Sequence, residues 1–290
     1  MCRVQEEYEI TDKVGRGRYA DVYAGVHMLT GQEVAIKILK PIKKNKIRRE
    51  VKILNLLKGC SYITEIKDVV RDAATKTPAI ITEFVNQGDT DIKKIWKNFT
   101  LSDIQNYMLS TLKALEYAHS RGVMHRDIKP HNILVDQDDK SIKLADWGLA
   151  EFYKSETEYN TKVAALFYKA PELMLGYPYY DYSIDIWALG WVFAELLLPK
   201  QPIFSGKSTS DQLLKIVKVL GTKKLYEYAT EYNIEIDQSL KDILGKHSEK
   251  PFENLSNEAR NLLDKMLQYD HTKRITAREA MSHDFFKLKK

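Results

Sequence analysis

The stretch over residues 125–132, H-R-D-I-K-P-H-N, constrains this chain more than any other, and the triplet Asp146-Trp147-Gly148 follows it. Asp127 offers a carboxylate that can accept a proton, and Lys129 places a positive charge close behind it. Asn132 and Asp146 add hard oxygen ligands of the kind that Mg²⁺ prefers. A base, a cation and two metal ligands are the residue types that transfer of a phosphoryl group from a metal-bound nucleotide to an alcohol requires.

The composition is that of an ordinary soluble globular protein and does not by itself indicate a function. The chain has 290 residues, 44% of them hydrophobic and 29% charged, with a formal net charge of +5. Cys2 and Cys60 are too few for a disulfide framework or a metal cluster, which indicates a reducing compartment. We expect the protein in the cytoplasm and the nucleus. The apolar run 186–198 contains Glu195 and is too short to cross a bilayer, so we expect a buried helix and no membrane partner.

A phosphate-binding loop is predicted near the start of the chain. Residues 8–14 alternate as in a strand, and Gly15 and Gly17 follow, where the backbone can turn tightly and point N–H groups at phosphates. Ala20 stands where a third glycine is usual, and alone the motif also fits a plain hairpin turn. The strand V-A-I-K, which ends at Lys37, favours the nucleotide-binding interpretation. The expected nucleotide contacts are Val14, Gly15, Arg16, Gly17, Arg18, Tyr19, Ala20, Asp21, Val22, Ala35 and Lys37.

A strongly basic run follows this strand, and a helix is predicted over residues 44–57 from the spacing of its apolar residues. Glu50 is the only acid in that helix and is the natural partner of Lys37 in a buried ion pair. The basic run fits a solvated face, a nuclear localisation signal or a substrate-binding surface. Its basic residues are Lys40, Lys43, Lys44, Lys46, Arg48 and Arg49.

Two more strands are predicted over 62–70 and 78–84. The second would lead into a hinge at Glu83 and Val85, whose backbone would hydrogen-bond the adenine edge, and Leu134 would complete the nucleotide site from a later strand.

The later part of the chain is predicted to be mostly helical. Residues 102–120 form an amphipathic pattern with Ser102 as its N-cap. Two short strands, 133–136 and 141–145, would deliver Asp146 to the site.

Three residues downstream are expected to support the site. Asp185 would anchor the backbone of residues 125–132 from below, although an acid at a helix N terminus also satisfies the helix dipole. Arg274 either pairs with Glu172 of the triplet A-P-E or is an ordinary surface arginine.

Together these motifs make the chain from Tyr8 to Phe286 resemble a eukaryotic protein kinase, and within that family the catalytic subunits of casein kinase 2. The narrower likeness rests on segments such as I-L-K-P-I-K-K at 38–44 and on tryptophan in D-W-G, where most kinases have phenylalanine. The resemblance implies an α+β bilobal fold. A small β-rich lobe over 8–87 would carry one key helix, and a large, mostly helical lobe would cover 88–286.

The resemblance also implies a serine/threonine kinase that uses Mg²⁺ and ATP, with GTP left open, and that needs no activating phosphate. Asp127 and Lys129 would be catalytic, supported by Lys37 and Glu50, and acidic protein substrates would be the partners. The acid three residues after the target would contact Lys43, Lys44, Lys46, Arg48 and Arg49. The acid directly after the target would contact Lys162 and Lys169.

Relatives also bind a dimeric regulatory β subunit through the small lobe. Ile10, Tyr23, Ile36 and Ile38 could form a comparable apolar patch, with ordinary strand core as the alternative for at least half of them.

Several departures from the family pattern concern the site. Ala35 and Ala145 replace bulkier aliphatics in the nucleotide pocket, and Leu166 and Ala170 replace an arginine and a glycine. The stretch before Tyr8 is short, so we expect most of the segment that braces the activation loop in relatives to be missing.

Three alternatives stay open at this stage. The sequence L-F-Y-K-A-P-E at 166–172 also suggests a proline-directed kinase. A pseudokinase scaffold is a second alternative, against which the intact catalytic residues argue. No aromatic residue interleaves the basic run, so we expect no specific nucleic-acid partner.

Overall fold

The computed structural model describes residues 3–4, 7–41, 43–88, 91–198, 206–249, 252 and 255–287. The chain forms two compact units, each assembled from two stretches of sequence. One comprises Met1–Asn98 with His131–Glu151, and the other Phe99–Pro130 with Phe152–Lys290. Strands dominate the first unit and helices the second, which confirms the predicted α+β class. Among the described residues, no helix is long and apolar enough to cross a membrane.

The first unit is built on a sheet whose strands lie in the order β1-β5-β6-β4-β3-β2. The β1–β5 pair is parallel, and the other neighbours are antiparallel. The strands of this sheet are β1 (Arg3–Val4), β2 (Tyr8–Arg16), β3 (Ala20–His27), β4 (Gln32–Leu39), β5 (Ile66–Arg71) and β6 (Pro78–Glu83). The unit also contains the helices α1 (Lys44–Leu56) and α2 (Ile92–Trp96).

The four residues of the predicted apolar patch differ in burial, because β4 is an interior strand of the sheet and β2 is an outer one. Ile36 is only 1% exposed and belongs to the buried cluster of the sheet, so for this residue the strand-core alternative holds. Tyr23 and Ile38 pack against that cluster and are partly buried. Ile10, on the outer strand β2, is 40% exposed.

The second unit is mostly helical. Its helices are α3 (Leu101–His119), α4 (Pro171–Met174), α5 (Ser183–Leu197), α6 (Thr209–Leu220), α7 (Thr222–Glu231), α8 (Gln238–Leu244), α9 (Asn257–Met266) and α10 (Ala277–Met281). The short strands of the chain are β7 (Val123–Met124), β8 (Ile133–Val135), β9 (Ile142–Leu144) and β10 (Glu151–Phe152), of which β8 and β9 form a hairpin in the first unit.

The predicted N-cap of α3 was wrong by two positions. Thr100, not Ser102, is the cap: its hydroxyl accepts the backbone N–H of Asp103, and the Asp103 carboxylate accepts the N–H of Thr100. This reciprocal capping box satisfies two N–H groups that would otherwise lack partners, whereas a cap at Ser102 would leave Asp103 without that role. The apolar residues spaced along one stripe of this helix are Ile104, Met108, Leu112 and Leu115. The last three are fully buried, and Ile104 is half-buried.

The helix α5 is buried along almost its whole length, as the apolar run predicted. Beside its first turn lies the Glu172–Arg274 ion pair, which is confirmed. The two guanidinium nitrogens donate to the two carboxylate oxygens at 2.5 and 2.7 Å, and neither side chain is exposed. The guanidinium also lies 4.9 Å from the ring centre of Trp187.

We expect Glu172→Gln to lower the free energy of unfolding by about 3–5 kcal/mol, because it leaves a buried guanidinium without a counter-charge. Chemical denaturation of the full chain measures this loss. Glu227→Gln is the matched control, since its ion pair with Lys223 is exposed, and it should change the stability little. Equal effects of the two substitutions would contradict the prediction.

Candidate active site

In the first unit, Lys37 joins two carboxylates. Its ammonium donates to Glu50 Oε1 at 2.6 Å and to Asp146 Oδ1 at 2.7 Å, which confirms the predicted Lys37–Glu50 pair. Lys37 lies on the interior strand β4, and Glu50 lies on the buried side of α1. A Cβ at Gly148 would lie 3.2 Å from the ammonium and 3.4 Å from Glu50 Oε2. Glycine therefore gives this cluster room.

Burial by itself would lower the pKa of the Lys37 ammonium. The Asp146 and Glu50 carboxylates outweigh that effect and raise the pKa above its ordinary value. Lys37 therefore stays charged at physiological pH. Asp146 has the left-handed backbone angles φ 59° and ψ 72°, and its side chain is 47% exposed. Such a conformation is costly for a residue other than glycine and is often found at functional sites.

The predicted phosphate-binding loop forms the connection between β2 and β3. The Gly17 N–H donates to the Ala20 carbonyl at 2.8 Å, closing a tight turn. Lys40 braces this turn, because its ammonium donates to the Gly17 carbonyl at 2.7 Å and its backbone N–H donates to the Tyr19 carbonyl at 2.9 Å. Asp21 forms ion pairs with Lys13 and Lys40 at 3.4 and 3.5 Å.

The predicted hinge begins where β6 ends. The Glu83 carboxylate accepts the backbone N–H of Glu65 at 2.8 Å and pairs with Lys143 at 2.8 Å. Its side chain is therefore fixed within the unit, and its backbone N–H donates to the Glu65 carbonyl at 2.9 Å. Val85 is buried and Leu134 is half-buried.

The two predicted metal ligands also belong to the first unit. The backbone N–H of Ala145, next to Asp146, donates to the Asn132 carbonyl at 2.8 Å, which ties the two ligand-bearing segments together. No group of three or more His, Cys, Asp and Glu residues suited to a metal occurs among the described residues. Two oxygen ligands fit Mg²⁺, since this ion usually takes its other ligands from water and phosphate.

In the second unit, Asp127 is held from both sides. Lys129 donates to its Oδ2 at 2.6 Å, and the backbone N–H of Asp127 donates to His125 Nδ1 at 3.2 Å. Asp127 is 6% exposed. These contacts hold the carboxylate in one position, which a general base requires because it must lie within hydrogen-bond reach of the hydroxyl.

Asp185 anchors this loop as predicted. Its carboxylate accepts the backbone N–H groups of His125 and Arg126, both at 2.8 Å, and lies 3.0 Å from His119 Nε2. Arg126 has a left-handed φ of 66°, which these hydrogen bonds support. Sequence reasoning missed His119, whose position at the end of the amphipathic helix α3 gave no sign of a polar role.

Burial by itself would raise the pKa of the Asp185 carboxyl. Two histidines outweigh this effect and hold the pKa of Asp185 below its ordinary value. His119 contributes a hydrogen bond and its charge, and His125 contributes its charge and the hydrogen bond of its backbone N–H. The carboxylate is therefore ionised when it receives the loop.

The activation segment, which by the kinase pattern runs from Asp146 to Glu172, makes further contacts in the second unit. Arg126 donates to the Tyr180 hydroxyl at 3.0 Å, and that hydroxyl donates to the Asn160 carbonyl at 2.8 Å. Lys169 is half-buried, burial lowers its pKa, and its ammonium lies 3.4 Å from the Thr161 carbonyl. Lys162 is exposed. Of the two lysines predicted to contact the acid directly after the target, one is thus largely withdrawn from solvent.

The basic residues predicted for substrate binding divide into two groups. Four of them are exposed at the start of α1 and are called the basic cluster: Lys43, Lys44, Lys46 and Arg48. Arg49 instead forms an ion pair with Glu151, so its side chain serves the structure of the first unit.

Comparison with protein families matches this chain to the protein kinase domain over residues 8–286. The match covers nearly the whole chain, and the chain therefore belongs to the protein kinase family. Membership implies a transferase that uses ATP and Mg²⁺.

We expect Asp185→Asn to destabilise the protein by at least roughly 1.5–3 kcal/mol at neutral pH, because hydrogen bonds to a charged acceptor are lost. The lowered pKa means that the carboxylate stabilises the fold above its unfolded pKa of about 3.9 and loses this effect as the pH falls through the folded value. The difference between wild type and variant should therefore shrink below about pH 4. Denaturation at several pH values measures it, with Asp12→Asn as an exposed control. A difference independent of pH would contradict the anchoring role.

Proposed function

We propose that this kinase phosphorylates serine and threonine in acidic sequence contexts, that it is of the casein kinase 2 type, and that it is active without an upstream kinase in the cytoplasm and nucleus. The observation that carries the acidic preference is the basic cluster. Its four side chains are exposed within one short stretch, and several adjacent cations attract an acidic peptide more strongly than a single pair does.

The local structure strengthens this attraction. Lys43 is the N-cap of α1 but makes no capping hydrogen bond with its side chain, and the first turn contains no acid. The N-terminal N–H groups of a helix and its dipole both favour anions. Lysines at this end oppose the dipole, so a negatively charged substrate relieves an unfavourable arrangement.

The roles that we assign to the catalytic residues follow from their contacts. Asp127 orients the substrate hydroxyl and accepts its proton, while Lys129, 2.6 Å away, balances the charge of the carboxylate. Lys37, held by Glu50, is directed at the nucleotide phosphates, and Asn132 and Asp146 are the residues that would hold Mg²⁺. When bound, the metal neutralises the phosphate charge.

The two recognition groups should differ in strength. The acid three residues after the target would contact the basic cluster. The acid directly after it would contact Lys162 and Lys169, and Leu166 adds no charge there. Because Lys169 is half-buried and only Lys162 is exposed in this group, we expect a strong requirement at the third position and a weaker one at the first.

We expect replacing Lys43, Lys44 and Lys46 by alanine to raise KM for acidic peptides while nucleotide affinity is retained. Each exposed ion pair contributes roughly 0.2–1 kcal/mol, so the loss of three such pairs corresponds to an increase in KM of about 3- to 150-fold. Steady-state kinetics with an acidic peptide and its neutral analogue measures the effect. Added salt should raise KM in the wild type more than in the variant, because screening weakens exposed attraction.

The control is a variant with alanine at Lys223, Lys241 and Lys246, which are exposed and lie outside the cluster. It removes the same charge from the whole chain. An unchanged KM in the cluster variant, or an equal rise of KM in the control, would contradict the proposed preference for acidic substrates.

Activity without an upstream kinase is the second expectation. The Lys37–Glu50 pair forms in the unmodified chain. Arg126, which often pairs with a phosphorylated residue in regulated kinases, donates here to the Tyr180 hydroxyl. Enzyme treated with a phosphatase should therefore phosphorylate acidic peptides without a lag. A sample that stays inert until Thr161 is modified would show that a phosphate is required.

A regulatory β subunit is a further proposed partner. With Ile36 in the core, it would contact Ile10, Tyr23 and Ile38, and co-purification with and without Ile10→Glu tests this.

The choice of nucleotide is the last point of the proposal. Ala35 and Ala145 are half-buried, and because they are smaller than the aliphatic residues of relatives, they would enlarge the purine site. Competition kinetics between GTP and ATP decides whether GTP is a second donor.

A further inference from the structure

We propose that Ser155 is a modification site that one copy of this kinase phosphorylates on a second copy. The inference rests on the proposed preference for acids at the first and third positions after the target. Glu156 and Glu158 occupy those positions after Ser155. No other serine or threonine in the sequence has an acid at both. By the proposed rule, Ser155 is therefore the best substrate that the chain itself contains.

Exposure selects the same residue. Among the neighbouring hydroxyl side chains, Ser155 is exposed, whereas Thr157, Tyr159 and Thr161 are half-buried. The Tyr159 hydroxyl is also engaged: it donates to the Phe152 carbonyl at 3.1 Å and accepts the backbone N–H of Lys154 at 2.6 Å. Ser155 is thus the hydroxyl of this stretch that another molecule can reach most directly.

The backbone presents Ser155 at the tip of a closed loop, within the second unit. The Tyr153 N–H donates to the Gly122 carbonyl at 2.8 Å, and the Tyr159 N–H donates to the Pro178 carbonyl at 2.9 Å. Both sides of the tip are therefore held, and Glu156 turns the chain there with a φ of 56°. The active site of a second copy could bind the loop around Ser155 while these two backbone hydrogen bonds stay formed. This favours phosphoryl transfer from one copy to another.

The acids are displayed with the serine. Glu156 and Glu158 are both exposed. Glu158 Oε1 also accepts the Tyr179 hydroxyl at 2.7 Å, which orders its carboxylate before any partner arrives. On the copy that acts as enzyme, the basic cluster would receive Glu158, and Lys162 with Lys169 would receive Glu156.

The step itself is an ordinary phosphoryl transfer. Ser155 Oγ of one copy attacks the γ-phosphorus of ATP bound to the other copy. The new Oγ–P bond forms as the bond between that phosphorus and the β,γ-bridging oxygen breaks, and ADP leaves with the electron pair. The serine proton passes to Asp127 of the copy that acts as enzyme, giving phosphoserine, ADP and a proton.

The test uses Asp127→Asn chain, treated with phosphatase, as substrate for catalytic amounts of wild-type enzyme with ATP. Mass spectrometry of tryptic peptides should show phosphate on Ser155, at a rate that rises with the concentration of wild-type enzyme. Adding Ser155→Ala to the substrate chain should abolish this signal. Thr157→Ala is the matched control and should leave it unchanged.

Charge substitutions in the substrate chain test the recognition. Glu158→Gln should lower the initial rate roughly 1.4- to 5-fold, the range that one exposed charge pair provides. Glu156→Gln should lower it less. Tyr179→Phe removes the hydrogen bond to the Glu158 carboxylate but keeps its charge. It therefore separates the ordering of this side chain from its attraction to the basic cluster, and it should lower the rate less than Glu158→Gln does.

A reference acidic peptide, assayed in parallel, keeps the two hypotheses separate. If the peptide is phosphorylated with the expected acid dependence and Ser155 is not, the inference fails and the proposed function stands. If the peptide shows no acid dependence, the proposed function fails whatever happens at Ser155. Modification of Ser155 that is insensitive to both glutamine substitutions, or confined to the active copy itself, would also overturn the inference.

Discussion

The ammonium group of Lys37 is largely buried in the first unit, and it can stay charged there because two carboxylates reach it. An unpaired ammonium in that position would lose its proton or expel the side chain. Pairing with Glu50 and Asp146 therefore fixes three separate elements: the interior strand β4, the helix α1 and the turn that starts at Asp146. The tight contact around Gly148 follows from the same need, since a larger residue would separate the charges.

The second unit obeys the same rule with different groups. Asp185 is buried and receives two backbone N–H groups of the catalytic loop, and Glu172 and Arg274 neutralise each other without solvent contact. Buried pairs of this kind add little net stability compared with apolar packing, but they are costly to break. They consequently specify one arrangement of the loop and of the segment that follows it.

Sequence reasoning succeeded where a residue's chemistry allows only one kind of partner. Glu50 was the only acid in its helix, and Asp185 lies in a motif that indicates its partner. For Arg274, by contrast, the sequence left a pair with Glu172 and an ordinary surface position equally open. Sequence reasoning failed where a side chain could take one of several similar partners and only the three-dimensional structure decides which partner is closer. Thr100 caps α3 in place of Ser102 because Asp103 lies three residues after it, and Arg49 leaves the exposed cluster because Glu151 is within reach. That Lys169 is half-buried depends on packing between elements, which no local pattern specifies.

The basic run also contacts the turn between β2 and β3, which is the predicted phosphate-binding loop. The basic run begins at Lys40, which is directed back to the phosphate-binding turn through the Gly17 carbonyl. Farther along, the Lys46 ammonium lies 5.3 Å from the ring centre of Tyr19, the exposed tyrosine of that turn. A cation over an exposed aromatic ring contributes about 0.5–1 kcal/mol, comparable to one exposed ion pair. An acidic side chain that draws Lys46 away would therefore exchange one weak contact for another at little net cost. If the basic cluster binds an acidic substrate as proposed, the hydrogen bond of Lys40 to the Gly17 carbonyl would still hold the turn in place.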